Sequence, residues 1–236
     1  MSGDISATDL YARHGRTPAQ RITLCALVAA WVAAAWWVLE GAGLAHLDRW
    51  LGWRLAPGDG LRRAFLGAGL SIYALRLAGT LFVFLKRAVS WGEAVGIAVW
   101  IGVIAGVLAI AGGSDAAPLT GAAIVGILLF ALGSWMNSQA EFDRHRWKLR
   151  PENQGRLYTQ GLFRRTRHPN YLGDLLSFSG LCLLSGWAWS AFIPVVMLLG
   201  FVFVSIPQLD AHLRAKYGAQ FEVYERASAR LVPFVY

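Results

Sequence analysis

The chain has 236 residues, 56% hydrophobic and 15% charged, with 11 Trp and a formal net charge of +8. A soluble domain of this length carries roughly a quarter charged residues, so the composition excludes an ordinary soluble single-core protein and, with it, intrinsic disorder. The two cysteines, Cys25 and Cys182, sit in apolar stretches and are too few for a disulfide framework or a four-ligand zinc site; they read as small apolar core residues.

A membrane helix needs about 20 apolar residues to cross about 30 Å of hydrocarbon, with every backbone polar group paired inside the segment. In chain order the expected spans are 22–39, 64–85 with Arg76 embedded in it, 94–112 and 119–136. Residues 175–209 then form a charge-free run of 35 residues. One helix of that length would reach roughly 50 Å, so the run is expected to fold back near Gly186 and Trp187 into a fifth and a sixth span. Between spans one and two, residues 44–55 mix Trp50, Trp53 and leucines with Asp48, Arg49 and Arg54, the pattern of an interfacial amphipathic helix. A polar stretch precedes the first span and Glu40 follows it directly, so that span does not read as a cleavable signal. The expected fold class is all-α: one polytopic integral membrane domain over residues 1–236 with about six transmembrane helices.

Lys and Arg resist translocation, and they are distributed 17 to 4 between the two sides of this arrangement, with Arg76 inside a span. Both termini are therefore expected in the cytoplasm. The same bias accounts for most of the positive charge and for a pI near 10.0, which removes the reason to infer a nucleic-acid partner. The sequence contains no phosphate-binding glycine loop of dinucleotide or P-loop spacing and no His/Cys cluster with metal-ligand spacing.

Ionisable groups at membrane depth face a partner or a polar cavity and are functional by default. Glu40 ends span one and Asp174 opens span five, where each is either functional or simply solvated at the interface. Arg76 lies more than about ten Å inside span two, counting 1.5 Å per residue back from Lys86, and requires a carboxylate or a bound anion. Tyr73 shares its helical face. The densest constellation is EFDRHRWKLRPENQGRLYTQGLFRRTRHPNY, residues 141–171. Asp143, Arg144, Arg146, Lys148 and Arg150 read as a short helix ended by Pro151, and Arg164, Arg165, Arg167 and His168 lead into Pro169, Asn170 and Tyr171. A basic, turn-rich segment beside a helix N-terminus suits a phosphorylated cofactor. It equally suits a loop that sets topology and touches lipid headgroups.

The stretch NQGRLYTQGLFRRTRHPNYLGD resembles the C-terminal signature of the steroid 5-alpha-reductase family and its bacterial relatives, and RHPNYLGDL also resembles the sterol C14 and C7 reductases. Trp36, Glu40 and Tyr73 resemble, more weakly, a Trp, a Glu and a Tyr that line the substrate pocket in that family. The resemblance implies NADPH as hydride donor and reduction of a carbon–carbon double bond conjugated to a ketone, in a lipophilic, steroid-like substrate that enters from the bilayer. It also implies a bacterial inner membrane and contact with membrane lipid. Carried over by position, Asp143, Arg150, Arg156, Arg167, His168, Asn170, Tyr171 and Asp174 are implied to bind the cofactor, with Asp174 standing where Glu is usual. Glu40 and Tyr73 are implied to be catalytic, holding the ketone, and Trp36 and Arg76 to bind substrate. The implied cofactor pocket is formed by the cytoplasmic basic loop.

Hydride addition to an enone drives negative charge onto the carbonyl oxygen, so a Tyr hydroxyl or a protonated Glu aimed at that oxygen would stabilise the transition state selectively. Small residues at 33–35 of span one and Gly67, Gly69 and Gly79 of span two are expected to let these helices approach closely enough to bring Glu40 to Tyr73. Part of the signature is shared with the isoprenylcysteine and phospholipid methyltransferases, which bind S-adenosylmethionine. Asn170 before Tyr171, Asp174 after Gly173 and the charged residues of 143–156 favour a nucleotide bearing phosphates.

Overall fold

The computed structural model describes Gly15 and residues 17–236. Among these the chain is helical, with an isolated β-bridge between Thr166 and Ala229. Helix α1 is Pro18–Leu39, α2 is Ala42–Leu51, α3 is Gly60–Gly79 followed by a π turn at Thr80–Phe84, α4 is Trp91–Ser114 and α5 is Gly121–Lys148. Helix α6 is Pro169–Ser185 and α7 is Phe192–Gly200; a second π turn at Phe201–Ser205 leads into α8, Ile206–Tyr217, and α9 is Ala219–Ala227.

Local chemistry sets these boundaries. Pro18 opens α1, where its missing N–H costs nothing. The side chains of Asp59, Ser90 and Thr120 accept hydrogen bonds from Arg62, Glu93 and Ala123 N–H groups and so cap α3, α4 and α5. Gly186 ends α6 in the left-handed region at φ 80°, which is the expected fold-back point.

Five helical stretches are long and apolar enough to cross a membrane: Pro18–Leu39, Gly60–Phe84, Trp91–Ser114, Gly121–Lys148 and Ala188–Tyr217. The expected fifth span corresponds to α6, whose 17 residues reach only about 26 Å at 1.5 Å per residue. It is enclosed by its neighbours, with Gly173, Ser177, Phe178, Gly180, Leu181 and Cys182 all buried. Lipid-facing sides of other spans carry exposed apolar residues such as Leu75, Leu128 and Phe203. The expected interfacial segment is helical as α2 up to Leu51, with Trp50 exposed in its last turn and Trp53 exposed just beyond it. The expected short helix around Asp143 is instead the end of α5, which continues unbroken from the membrane to Lys148 because nothing between Met136 and Leu149 interrupts helical geometry.

The tightest helix contact lies between α5 and α6. A Cβ on Gly126 would stand 2.5 Å from Gly180 O, and one on Gly133 would stand 2.3 Å from Gly173 O. The glycines therefore bring the two backbones into direct contact at two points seven residues apart on each helix. The expected seam of small residues between α1 and α3 forms only in part: Ala33 and Ala34 are exposed, whereas Ala35 is buried and Gly67 of α3 receives the Trp36 indole of α1.

At the end of the bundle nearest α2, Arg62 is 1% exposed and pairs with Asp115 at 3.1 Å. It also donates to Leu184 O at 2.6 Å and Ala117 O at 3.0 Å, tying α3, the loop after α4 and the end of α6 together. Removing one partner of a buried pair leaves an uncompensated charge and costs about 3–5 kcal/mol. Asp115→Ala should accordingly lower the thermal midpoint in detergent markedly, while the double variant Arg62→Met/Asp115→Leu should lose less. Equal midpoints for wild type and Asp115→Ala would show that the carbonyls alone compensate the guanidinium.

Candidate functional site

The opposite end of the bundle holds a cavity of about 450 Å³ between the end of α3, the last turns of α5, the start of α6, and α8 and α9. Its wall includes Lys86, Arg87, Arg144, Lys148, Arg167 and Lys216, with Glu141 the one carboxylate among the lining residues. Phe84, Tyr158, Phe163, Tyr217 and Tyr224 supply aromatic surface. Burial, and for Tyr158 the nearby Asp143 carboxylate, pushes the hydroxyls of Tyr158 and Tyr224 up, so both remain protonated donors.

Helical periodicity explains which part of α5 contributes. Glu141, Arg144, His145 and Lys148 fall on one face at spacings of three and four, and all four line the cavity. Asp143 lies off that face and accepts a hydrogen bond from Gln139 at 2.8 Å. Arg150 and Arg156 are exposed beyond the helix end and outside the cavity lining; the Arg156 carbonyl accepts from Lys148 Nζ. Of the residues carried over for cofactor binding, Arg167 and Asn170 line the cavity, whereas Asp143, Arg150, Arg156, His168, Tyr171 and Asp174 do not.

His168 and Arg167 hold the C-terminal segment in place. His168 Nε2 lies 3.0 Å from Asp210 Oδ1, and Arg167 lies 3.2 Å from Asp210 Oδ2 while donating to Glu225 O and Ser228 O at 3.0 Å each. Tyr171 stacks between His168 and Phe201, with ring centroids 5.4 and 4.7 Å away. Thr166 Oγ1 donates to Leu231 O at 2.8 Å and the Tyr224 hydroxyl to Phe163 O at 2.7 Å. These contacts seat α8 and α9 as one wall of the cavity.

A continuous polar chain runs from the cavity into the membrane domain. The Asn170 side-chain amide donates to Glu141 at 2.8 Å, and Glu141 pairs with Arg144. Asn137 donates both to Asn170 O at 3.0 Å and to Asp174 Oδ1 at 2.9 Å. Asp174 pairs with Arg76 at 3.0 Å, and Arg76 donates to Ser134 Oγ at 3.0 Å. Arg76 thus has the carboxylate that its depth required, and the role of Asp174 here is to face Arg76, one helical turn below Asn170. Arg76 Nε is buried with no acceptor. Tyr73 feels the charges of both Arg76 and Asp174 and packs edge-on against Phe178 at 4.9 Å.

The structure does not bring Glu40 to Tyr73. Glu40 caps the far end of α1, is exposed, and lines a cleft of about 290 Å³ with Trp36, Gly60, Arg63 and Ala64. Tyr73 lies thirteen residues beyond Gly60 on α3, about 20 Å along a helix axis. Trp36 donates to Ser71 Oγ at 3.0 Å between these levels. Antiparallel packing puts Glu40 beside the start of α3, so the expected convergence on one oxygen is replaced by the cluster of Tyr73, Arg76 and Asp174. Sequence reasoning missed Asn137, Ser134, Glu141, Lys216 and Asp210. The stripe 137, 141, 144, 145, 148 was available as a signal once α5 is taken as unbroken; the pairing of Asp210 with residues 42 or 43 positions earlier had none.

Comparison with known proteins gives two matches. A fungal protein of Ustilaginoidea virens, named "Probable O-methyltransferase ustE", is 36% identical over 96 residues. That stretch is 39% of this chain and 34% of the relative, so the likeness spans about a third of that protein's length. The second match is to a family described as a protein of unknown function, DUF1295, over residues 94–228. This stretch is more than half of the chain and contains most of the cavity wall, and the chain belongs to the DUF1295 family.

Proposed function

We propose that this protein is a membrane-embedded reductase that takes NADPH at its basic end and saturates a carbon–carbon double bond conjugated to a ketone in a lipophilic substrate. The observation that carries this reading is the charge of the cavity: six cationic side chains line it beside aromatic walls, and with Arg87, Arg144 and Arg167 paired to Glu93, Glu141 and Asp210, the ammonium groups of Lys86, Lys148 and Lys216 stay without an ion pair among the described residues. Guanidinium and ammonium groups pair with phosphates, and aromatic faces take a nucleobase or nicotinamide ring. Arg167, 4% exposed, is among the lining residues and keeps its Nε without an acceptor. The likeness of RHPNYLGD to steroid 5-alpha-reductases points the same way.

In this reading Lys86, Arg144, Lys148, Arg167 and Lys216 bind and orient the nucleotide, and Asn170 with Glu141 fixes the cavity floor. When bound, the reduced nicotinamide supplies the hydride that adds to the β-carbon of the enone. The α-carbon takes up a proton that comes ultimately from solvent, which completes the saturated ketone, and between the two steps negative charge rests on the carbonyl oxygen. The Tyr73 hydroxyl and the unpartnered Arg76 N–H are the donors at membrane depth that can meet it. Asp174 and Asn137 hold the Arg76 guanidinium in place, and the surrounding apolar helices exclude water. Glu40, at the other end of α1, has no part in this chemistry.

The competing reading is S-adenosylmethionine-dependent methyl transfer, favoured by the name of the fungal relative. That cofactor has a sulfonium cation and no phosphate, which a cationic lining repels. Titration of the purified protein should show salt-sensitive binding of NADPH and no binding of S-adenosylmethionine. Lys216→Glu should weaken NADPH binding by about tenfold or more at low salt. Binding of S-adenosylmethionine alone would reverse the assignment.

At the substrate end, Tyr73→Phe should lower turnover by roughly 10²-fold, the usual cost of losing one oxyanion donor, with the NADPH dissociation constant nearly unchanged. Glu40→Gln should leave turnover close to wild type. The opposite ranking would restore Glu40 to the reaction.

The basic end is proposed to face the cytoplasm of a bacterial cell, with both termini on that side and α2 on the other. Cysteines introduced at Ser2, which lies outside the described residues, and at Ala227 should label from the cytoplasmic face, and one at Trp53 from the opposite face. Labelling of Ala227 and Trp53 from the same face would reject this orientation.

A further inference from the structure

A second cleft, about 940 Å³ and open, adjoins the basic cavity and shares Leu157 and Tyr224 with it as common walls. Its floor and sides come from residues 159–161 and Arg164 of the loop before α6, and from Ala219, Gln220, Val223 and Ala227 of α9. Two properties separate it from the cavity beside it. Arg164 is the one charged side chain among its lining residues, it is exposed, and it has no carboxylate facing it there. Apart from the Thr159 hydroxyl, the rest of the surface is apolar or amide: Leu157, Val223 and the Tyr224 ring, with Gln160 and Gln220. Gln220 Oε1 already accepts from Leu157 N–H at 3.1 Å, which fixes that side chain and leaves its amide N–H groups to donate. Gly161 turns the loop at φ 58°, a conformation that favours glycine, and so holds Arg164 one turn beyond it.

One strong cation in an apolar, amide-rimmed cleft suits a single phosphate attached to a flat heterocycle. The neighbouring cavity, with its six cations, suits the several charges of a pyrophosphate. Building on the NADPH reading, we propose that this cleft is the adenosine end of the cofactor site and that Arg164 recognises the 2′-phosphate, making it the residue that selects NADPH over NADH. A guanidinium can hold a phosphate monoester through two parallel N–H bonds, which a lysine cannot reproduce. Leu157, Val223 and Tyr224 supply the surface against which a purine ring lies. The pyrophosphate would then sit past Tyr224, among Lys148, Arg167 and Lys216.

The test uses adenosine 2′,5′-bisphosphate and adenosine 5′-diphosphate as probes, so its readout is binding and does not depend on turnover. Full-length protein in detergent or nanodiscs should bind the 2′-phosphorylated probe about tenfold or more tightly than the diphosphate at low salt. Arg164→Ala should remove that preference while leaving binding of the diphosphate unchanged, which also shows that the variant is folded. Arg164→Lys should restore only part of it. A preference that persists in Arg164→Ala overturns the proposal, because the 2′-phosphate is then read elsewhere. A wild type without any preference also overturns it. In either of these cases, titration with NADPH and NADH distinguishes the two levels: binding of NADPH, whether or not NADH binds equally, leaves the reductase reading standing without Arg164, whereas binding of neither removes the reading as well.

Discussion

Direct backbone contact between α5 and α6 is the constraint on which the site depends. A side chain at Gly126, Gly133, Gly173 or Gly180 would collide with the carbonyl of the facing helix. With the backbones this close, Asn137 of α5 reaches both a backbone carbonyl and a carboxylate of α6, and Asn170 of α6 reaches Glu141 of α5. Those bonds would not span helices at the ordinary separation of 8–10 Å with larger residues between them. The glycine contact and the polar chain are therefore one arrangement: the first sets the spacing that the second requires.

The two ends of the bundle treat buried guanidinium groups differently. Arg62 meets a carboxylate and backbone carbonyls and serves as a fastener among three elements, with its Nε also left without an acceptor. Arg76 has a carboxylate and a hydroxyl, yet its Nε stays without an acceptor, and its Asp174 partner is 26% exposed. Desolvating a charge is costly wherever it happens, and at both ends the Nε hydrogen is the part of the guanidinium left without an acceptor. What separates the α3, α5 and α6 cluster from the one at the far end is exposure: the Arg62 side chain is 2% exposed and the Arg76 side chain 13%.

Much of the fold was legible in the sequence because lipid imposes a simple rule: a stretch as long, apolar and charge-free as residues 94–114 of α4 belongs in hydrocarbon, and its backbone is then obliged to be helical. The fold-back at Gly186 was legible for the same reason, since a 35-residue helix does not fit one crossing. The faces were harder to read. Treating 143–150 as a separate short helix lost the phase carried from Asn137, and with it Glu141, Arg144, His145 and Lys148 as one wall. Arg150 and Arg156 looked equally suitable as phosphate ligands by residue type, but position relative to a helix end is a property of three-dimensional packing. The partner of Arg76 could be anticipated as an acid, and Asp174 fills that place; the pairing of Asp210 with Arg167 and His168 could not be anticipated from any local pattern. The expected meeting of Glu40 and Tyr73 failed because antiparallel helices fix which levels face one another, and spacing in sequence does not.

The π turn at Thr80–Phe84 sits just before Phe84, Leu85, Lys86 and Arg87, all of which line the cavity. A π turn is equivalent to an α-helix that has gained one residue. Phe84, where the helix ends, is consequently rotated by about 100° relative to the path an uninterrupted helix would give it, and the chain leaves in an extended conformation at Leu85 from that new direction. Loss of a single codon in this stretch would let the end of α3 regularise, shorten the span by one residue and redirect Lys86 and Arg87 relative to the wall. The cationic character of the cavity thus hangs partly on one insertion, a change small enough for related chains to gain or lose it and so re-specify what the same scaffold binds.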